Sequence, residues 1–120
     1  MAKVVCIIDD DELVRAKIGQ DLRALGFETI EVEDSRALPK LLSERPVDAV
    51  VVDLVMPEKD GVELIAEIRR GWPEVRIVAI SGGGRIGPNL YLKIARQMGA
   101  AACLTKPIRA AALADALNAA

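Results

Sequence analysis

Short, unbroken apolar runs alternate along this chain with amphipathic stretches. Val4–Ile8, Ala49–Val52, Ile77–Ile80 and Ala100–Leu104 are continuous and rich in small or β-branched residues. A strand with one wet face would alternate, so these runs predict strands of a parallel sheet covered on both sides. Phe27–Val32 does alternate, with Ile30 and Val32 on one side and Glu28 and Glu31 interleaved, which predicts an edge strand.

Between the runs lie helical periods. Val14, Ile18 and Leu22 are four apart, and Gly26 follows as a stop signal. Ser35 is placed to cap a second helix, with Leu38, Leu41 and Leu42 facing inward and Pro39 in the first turn. Leu64, Ile65 and Ile68 stripe a third helix, Leu90, Ile94 and Met98 a fourth, and Leu113 and Leu117 a last one. A strand followed by a helix, five times over, predicts an α/β fold: a doubly wound, five-stranded parallel sheet with right-handed crossovers and helices on both faces. No linker or repeat interrupts it, so residues 1–120 read as one domain.

In such sheets ligands bind outside the carboxyl ends of the strands. The first run ends in Asp9, Asp10, Asp11 and Glu12, the third in Asp53, the fourth in Ser81, and the fifth in Thr105-Lys106-Pro107. Two carboxylates about 5 Å apart repel by roughly 3 kcal/mol at an effective dielectric of 20, so a cation is expected to offset them. Carboxylates with backbone oxygens form a hard-oxygen site suited to Mg²⁺, with Lys106 as a fixed second cation. Asp11 and Glu12 are expected to open the first helix, where its positive end favours acids.

Composition narrows the function. The net charge is −2, no basic stripe is present and only 2% of residues are aromatic, which argues against nucleic acid. No apolar run reaches the length of a membrane span. Histidine is absent, and Cys6 and Cys103 are too few for a zinc site or a disulfide framework; both are expected to be small core residues. A reducing compartment, the cytoplasm, is the expectation. The glycines Gly82, Gly83, Gly84 and Gly87 lack the lysine and serine of a nucleotide loop and predict a connection only.

The stretches IIDDDELVR, VVVDLVMPEKDG, AISGG and LTKP, in this order, resemble the receiver domain of two-component response regulators, and the likeness covers the whole chain. It implies the flavodoxin-like (βα)5 receiver fold with strand order 2-1-3-4-5. Asp53 would accept a phosphoryl group from a histidine kinase or a histidine phosphotransfer protein. Asp10, Asp53 and the Val55 carbonyl would bind Mg²⁺ directly and Asp9 through water. Ser81 and Lys106 would hold phosphoryl oxygens, and the Lys106–Pro107 bond would be cis. The output face would be the fourth helix, fifth strand and fifth helix. With no output domain expected after residue 120, the signal would leave through a downstream protein, a dimer partner or phosphoryl relay.

The chain departs from the family at two places. Cys103 stands where the family carries an aromatic switch residue, with Tyr91 as a candidate substitute. Val55 and Gly83 occupy positions that tune hydrolysis, and neither side chain can orient a water, which predicts slow dephosphorylation. Two rivals remain at this point: a haloacid-dehalogenase-like phosphatase using Asp9 and Asp11, and a receiver-fold binding module that is never phosphorylated.

Overall fold

A computed structural model describes residues 3–54, 61–82 and 88–118, with the backbone alone over 88–92. Strands β1 (Val4–Ile8), β2 (Glu28–Val32), β3 (Ala49–Asp53), β4 (Arg76–Ser81) and β5 (Ala102–Thr105) alternate with helices α1 (Glu12–Ala24), α2 (Leu38–Glu44), α3 (Gly61–Gly71), α4 (Pro88–Met98) and α5 (Ala110–Asn118). All strand pairs are parallel, in the order β2-β1-β3-β4-β5, so β2 is an edge as its alternation predicts.

Side chains alternate across the sheet and separate two cores. Cys6, Ile8, Val50, Val52, Ile77 and Ala79 face α2, α3 and α4. Val5, Ile7, Val51, Val78 and Ile80 face α1 and α5, where Ile18, Leu22, Leu113 and Leu117 cover them. Both faces of the three inner strands are therefore dry, which explains their unbroken apolar runs, while β5 at the other edge is only half-buried.

The helix ends follow local chemistry. The Asp11 carboxylate accepts from the Leu13 and Val14 amides and caps α1. Past the other end of α1, Gly26 takes the left-handed conformation (φ 94°) that a side chain would resist.

Three expectations need correction. Asp34, not Ser35, is the cap, and it caps a 3-10 turn over Ser35–Ala37 rather than α2. A helix starting at Ser35 would need the Pro39 nitrogen to donate back to Ser35, and proline has no hydrogen there; the α-helical ladder starts later, at Leu38. On α4 it is Ala95 that is buried, while Met98 lies 45% exposed in the last turn; the Leu90 side chain lies outside the described residues. Finally, Cys6 is fully buried but Cys103 only half, packed against the α2–α4 core from the outermost strand.

Candidate functional site

Strand register assembles the site. Ile8 of β1 pairs with Val52 of β3, so Asp9 and Asp53 emerge side by side at the carboxyl edge. Here the chain leaves β1 one way to β2 and the other way to β3, the switch point at which such sheets open a crevice. Asp53 pairs with Ile80, and Ser81 with Thr105, which carries the edge on to Lys106. The Lys106 amide donates to the Ser81 carbonyl at 2.8 Å, tying the two strand ends together. The Lys106–Pro107 bond is cis, as the family likeness implies.

The side chains converge. Asp9, Asp10 and Asp53 bring carboxylate oxygens within 4.8 Å of one another, Asp9 and Asp53 buried and Asp10 exposed. Lys106 Nζ donates to Asp53 Oδ2 at 3.4 Å and lies 3.2 Å from Asp9 Oδ2. Ser81 is buried at the neighbouring strand end. Val55 and residues 83–87 lie outside the described residues, as does the Tyr91 side chain. Asp9, Asp53, Ser81 and Lys106 thus meet at one edge, while Asp11 is spent on its helix cap.

Asp9 is held at several points. Its Oδ1 accepts from the Asp11 amide at 2.9 Å, and its backbone carbonyl accepts from Arg15 Nη1 at 2.7 Å. Its Oδ2 is buried and accepts no aligned hydrogen bond, the Lys106 ammonium being its ion-pair partner. Burial alone would lower the Lys106 pKa, but attraction by Asp53 and then Asp9 outweighs it and holds the ammonium above its ordinary range.

These groups fit a hard divalent cation. Three carboxylates against one ammonium leave an excess of two negative charges, and the buried Asp9 Oδ2 has an ion-pair partner but no hydrogen-bond donor. All-oxygen donors exclude a soft-metal preference.

Two residues of the site escape the apolar pattern. Arg15 lies three before Ile18 and seven before Leu22, so it belongs to the buried stripe of α1; a charge on that stripe is the signal that could have found it. Gly61 opens α3 beneath Asp53, and a Cβ there would run into the Asp53 carbonyl oxygen and stand 2.5 Å from Leu54 Cα.

The family model of the response regulator receiver domain matches residues 5–118. The chain is a response regulator receiver domain. Chemotaxis protein CheY of Bacillus subtilis is 31% identical over 119 residues, 98% of this chain and 97% of that protein. The transcriptional regulatory protein GlrR of Escherichia coli is 31% identical over 112 residues, but this receiver domain spans only 24% of its length. It spans 18% of an NtrX-like response regulator of Rickettsia conorii. Among solved structures, a Clostridium thermocellum receiver domain superposes with a TM-score of 0.87 at 25% identity, covering 97% of this chain and 91% of that one. A Burkholderia pseudomallei response regulator, solved with a phosphorylated aspartic acid and a calcium ion, gives 0.86 at 25% identity, covering 98% of this chain and 67% of that one. The receiver domain therefore belongs with the phosphoacceptors of two-component signalling, and nothing in these likenesses supports the phosphatase reading. Among the described residues no helix is long and apolar enough to cross a membrane.

Proposed function

We propose that this receiver domain accepts a phosphoryl group on Asp53 in a Mg²⁺-dependent reaction with a phosphohistidine, presented by a histidine kinase or a histidine phosphotransfer protein. The observation that carries the reading is the placement of the Asp53 carboxylate at the end of β3, paired with Lys106 and beside Asp9 and Asp10.

In the transfer an Asp53 oxygen attacks phosphorus and forms the new P–O bond. The P–N bond breaks, and its electron pair stays on the imidazole, which leaves neutral because its other nitrogen carries the proton. Asp10, Asp53 and the Val55 carbonyl would hold the cation, with Asp9 acting through water. When bound, Mg²⁺ supplies charge neutralisation for the acids and for the phosphoryl oxygens. Lys106 pairs with a phosphoryl oxygen and Ser81 donates its hydroxyl to another. Water attack on the same phosphorus later returns free Asp53 and phosphate, so the only reactions catalysed are those of the domain's own acyl phosphate.

Lys106 and Ser81 close β5 and β4, and new contacts at both residues bias the α4–β5–α5 face. That face is the surface offered to a downstream protein, a second copy or a relay partner in the cytoplasm. Cys103 takes the aromatic switch position there, so the readout runs through backbone and loop rather than a turning ring.

The test is incubation with Mg²⁺ and phosphoramidate, followed by peptide mass spectrometry. Label on Asp53, abolished in Asp53→Asn and by chelation, is the expected result. A chain that takes no label is instead a phosphorylation-independent module, and label in Asp53→Asn equal to that of the unaltered chain refutes the assignment.

A further inference from the structure

Arg15 is a cation with nine-tenths of its side chain buried, the one charged residue of α1 that is buried. Burying a guanidinium is costly, so its partners indicate what it does. Nη1 donates to the Asp9 backbone carbonyl at 2.7 Å. Nε has no hydrogen-bond partner and faces Glu31 Oε1 of β2 at 3.6 Å. Ile7 pairs with Glu31 in the sheet, so this acid stands one residue from Asp9 across the β1–β2 ladder. Gly19 leaves the space above α1 in which it lies, since a Cβ there would stand 3.3 Å from Glu31 Oε2.

We infer that Arg15 is a positioning residue of the cation pocket, acting through the Asp9 carbonyl. The inference rests on the phosphoacceptor reading above. The Asp9–Asp10 peptide is the unit from which two of the three pocket carboxylates hang. Arg15 fixes it from behind, and the Asp11 amide fixes Asp9 Oδ1 from the front. Glu31 offsets the guanidinium charge, so what reaches the pocket is geometry more than positive potential. The two roles predict opposite signs. A counter-charge weakens cation binding, and its removal tightens it; a positioning group strengthens binding, and its removal loosens it.

The experiment uses the full chain with Arg15→Met, which keeps the apolar stem, and with Arg15→Lys and Glu31→Gln. Mg²⁺ affinity is measured by calorimetry. The Asp11 amide resonance of the metal-free protein is followed by NMR, with Val51 as a core reference. Arg15→Met is expected to bind Mg²⁺ about tenfold more weakly and to shift the Asp11 amide while Val51 stays in place. Glu31→Gln, which lets more of the guanidinium charge reach the pocket, is expected to weaken Mg²⁺ binding by clearly less than Arg15→Met and to leave the Asp11 amide in place. Arg15→Lys, one donor in place of a fork, is expected to regain part of the affinity. Unchanged or tighter binding by Arg15→Met overturns the inference, as does an equal loss in Glu31→Gln, which would mark a mere tie between α1 and β2. If Arg15→Met does not fold, Arg15→Lys decides: binding a few-fold weaker than the unaltered chain supports the inference, and equal or tighter binding overturns it. A chain that binds no Mg²⁺ before substitution refutes the phosphoacceptor reading instead, so the two failures are distinct.

Discussion

Gly61 and Asp53 approach so closely that no side chain fits between them. The first residue of α3 packs its Cα against the Asp53 carbonyl, and its amide donates to the Leu54 carbonyl at 3.1 Å. Backbone thus meets backbone where α3 begins beside the end of β3. Neither obstacle is the far end of a flexible side chain, so neither can step aside.

Gly61→Ala should therefore move α3 or the end of β3, at a cost of about 2 kcal/mol or more. Gly71, at the other end of the same helix, has nothing within 4 Å of the point where a methyl group would stand. Its alanine variant should stay within about 1 kcal/mol of the unaltered chain, with intact Mg²⁺ binding. Urea unfolding and calorimetry on the two variants check this, and equal stability of both would contradict the close approach.

Lys106 and the acids it serves predict a pH dependence with a defined sign. Burial opposes its charge, but Asp53 and Asp9 win and raise its pKa above 10.5. The folded state then binds that proton more tightly than the unfolded state. Its stabilisation is complete below 10.5 and is lost as pH rises through the higher folded value. The stability gap between the unaltered chain and Lys106→Met should thus hold steady through mildly alkaline pH and narrow only as pH rises past 10.5 in urea titrations. The same substitution should tighten Mg²⁺ binding roughly tenfold while slowing phosphorylation, because the ammonium competes for the same oxygens. Weaker Mg²⁺ binding by Lys106→Met would exclude that competition.

The strands and the chemistry at their ends were legible because the runs of the three inner strands are buried on both faces and every run stops where polar groups are needed. Asp9, Asp53, Ser81 and Lys106 could be read from that punctuation alone. Arg15 shows in the sequence only as a charge on the buried stripe of α1; what it does there could not be read, because its contact with the Asp9 carbonyl is a tertiary fact. The second helix was misread for a local reason: Ser35 is a good cap, but Asp34 is better placed, and Pro39 delays the ladder. Met98 fits the period of α4 yet lies in its last turn, at the margin of the core, where the period no longer implies burial. The motif around Gly61 was visible, whereas the backbone contact that demands glycine is a tertiary fact.

Asp34 should mark the acid side of the stability profile. Its hydrogen bonds from the Arg36 side chain and backbone amide hold the carboxyl at about 2, below its ordinary 3.8. A depressed folded pKa gives stability that is present above 3.8 and lost as pH falls through about 2. Asp34→Ala should lower the thermal midpoint at neutral pH, and the difference from the unaltered chain should close across that acid window. A difference that is constant with pH would show that the charge of the cap has no part in it.

The two thiols should differ by where they sit in the sheet. Cys6 lies between Ile30 and Val50 in the centre of the ladder, and burial pushes its pKa up to about 12. Cys103 sits on the outermost strand, half-buried; burial raises its pKa too, with Arg96 pulling it partly back. The thiolate is the reactive species, and a buried thiol is reached only when the structure opens. At neutral pH a disulfide reagent should label Cys103 slowly in the folded protein. In Cys103→Ser the remaining Cys6 should react slower still, by a factor of roughly 10³ or more, and denaturant should restore its reactivity. Cys6→Ser should cost about 1–3 kcal/mol, because the hydroxyl would be buried among Ile8, Val50 and Val52. Rapid labelling of Cys6 without denaturant would mean that β1, and with it the base of the acidic pocket, opens far more readily than its packing implies.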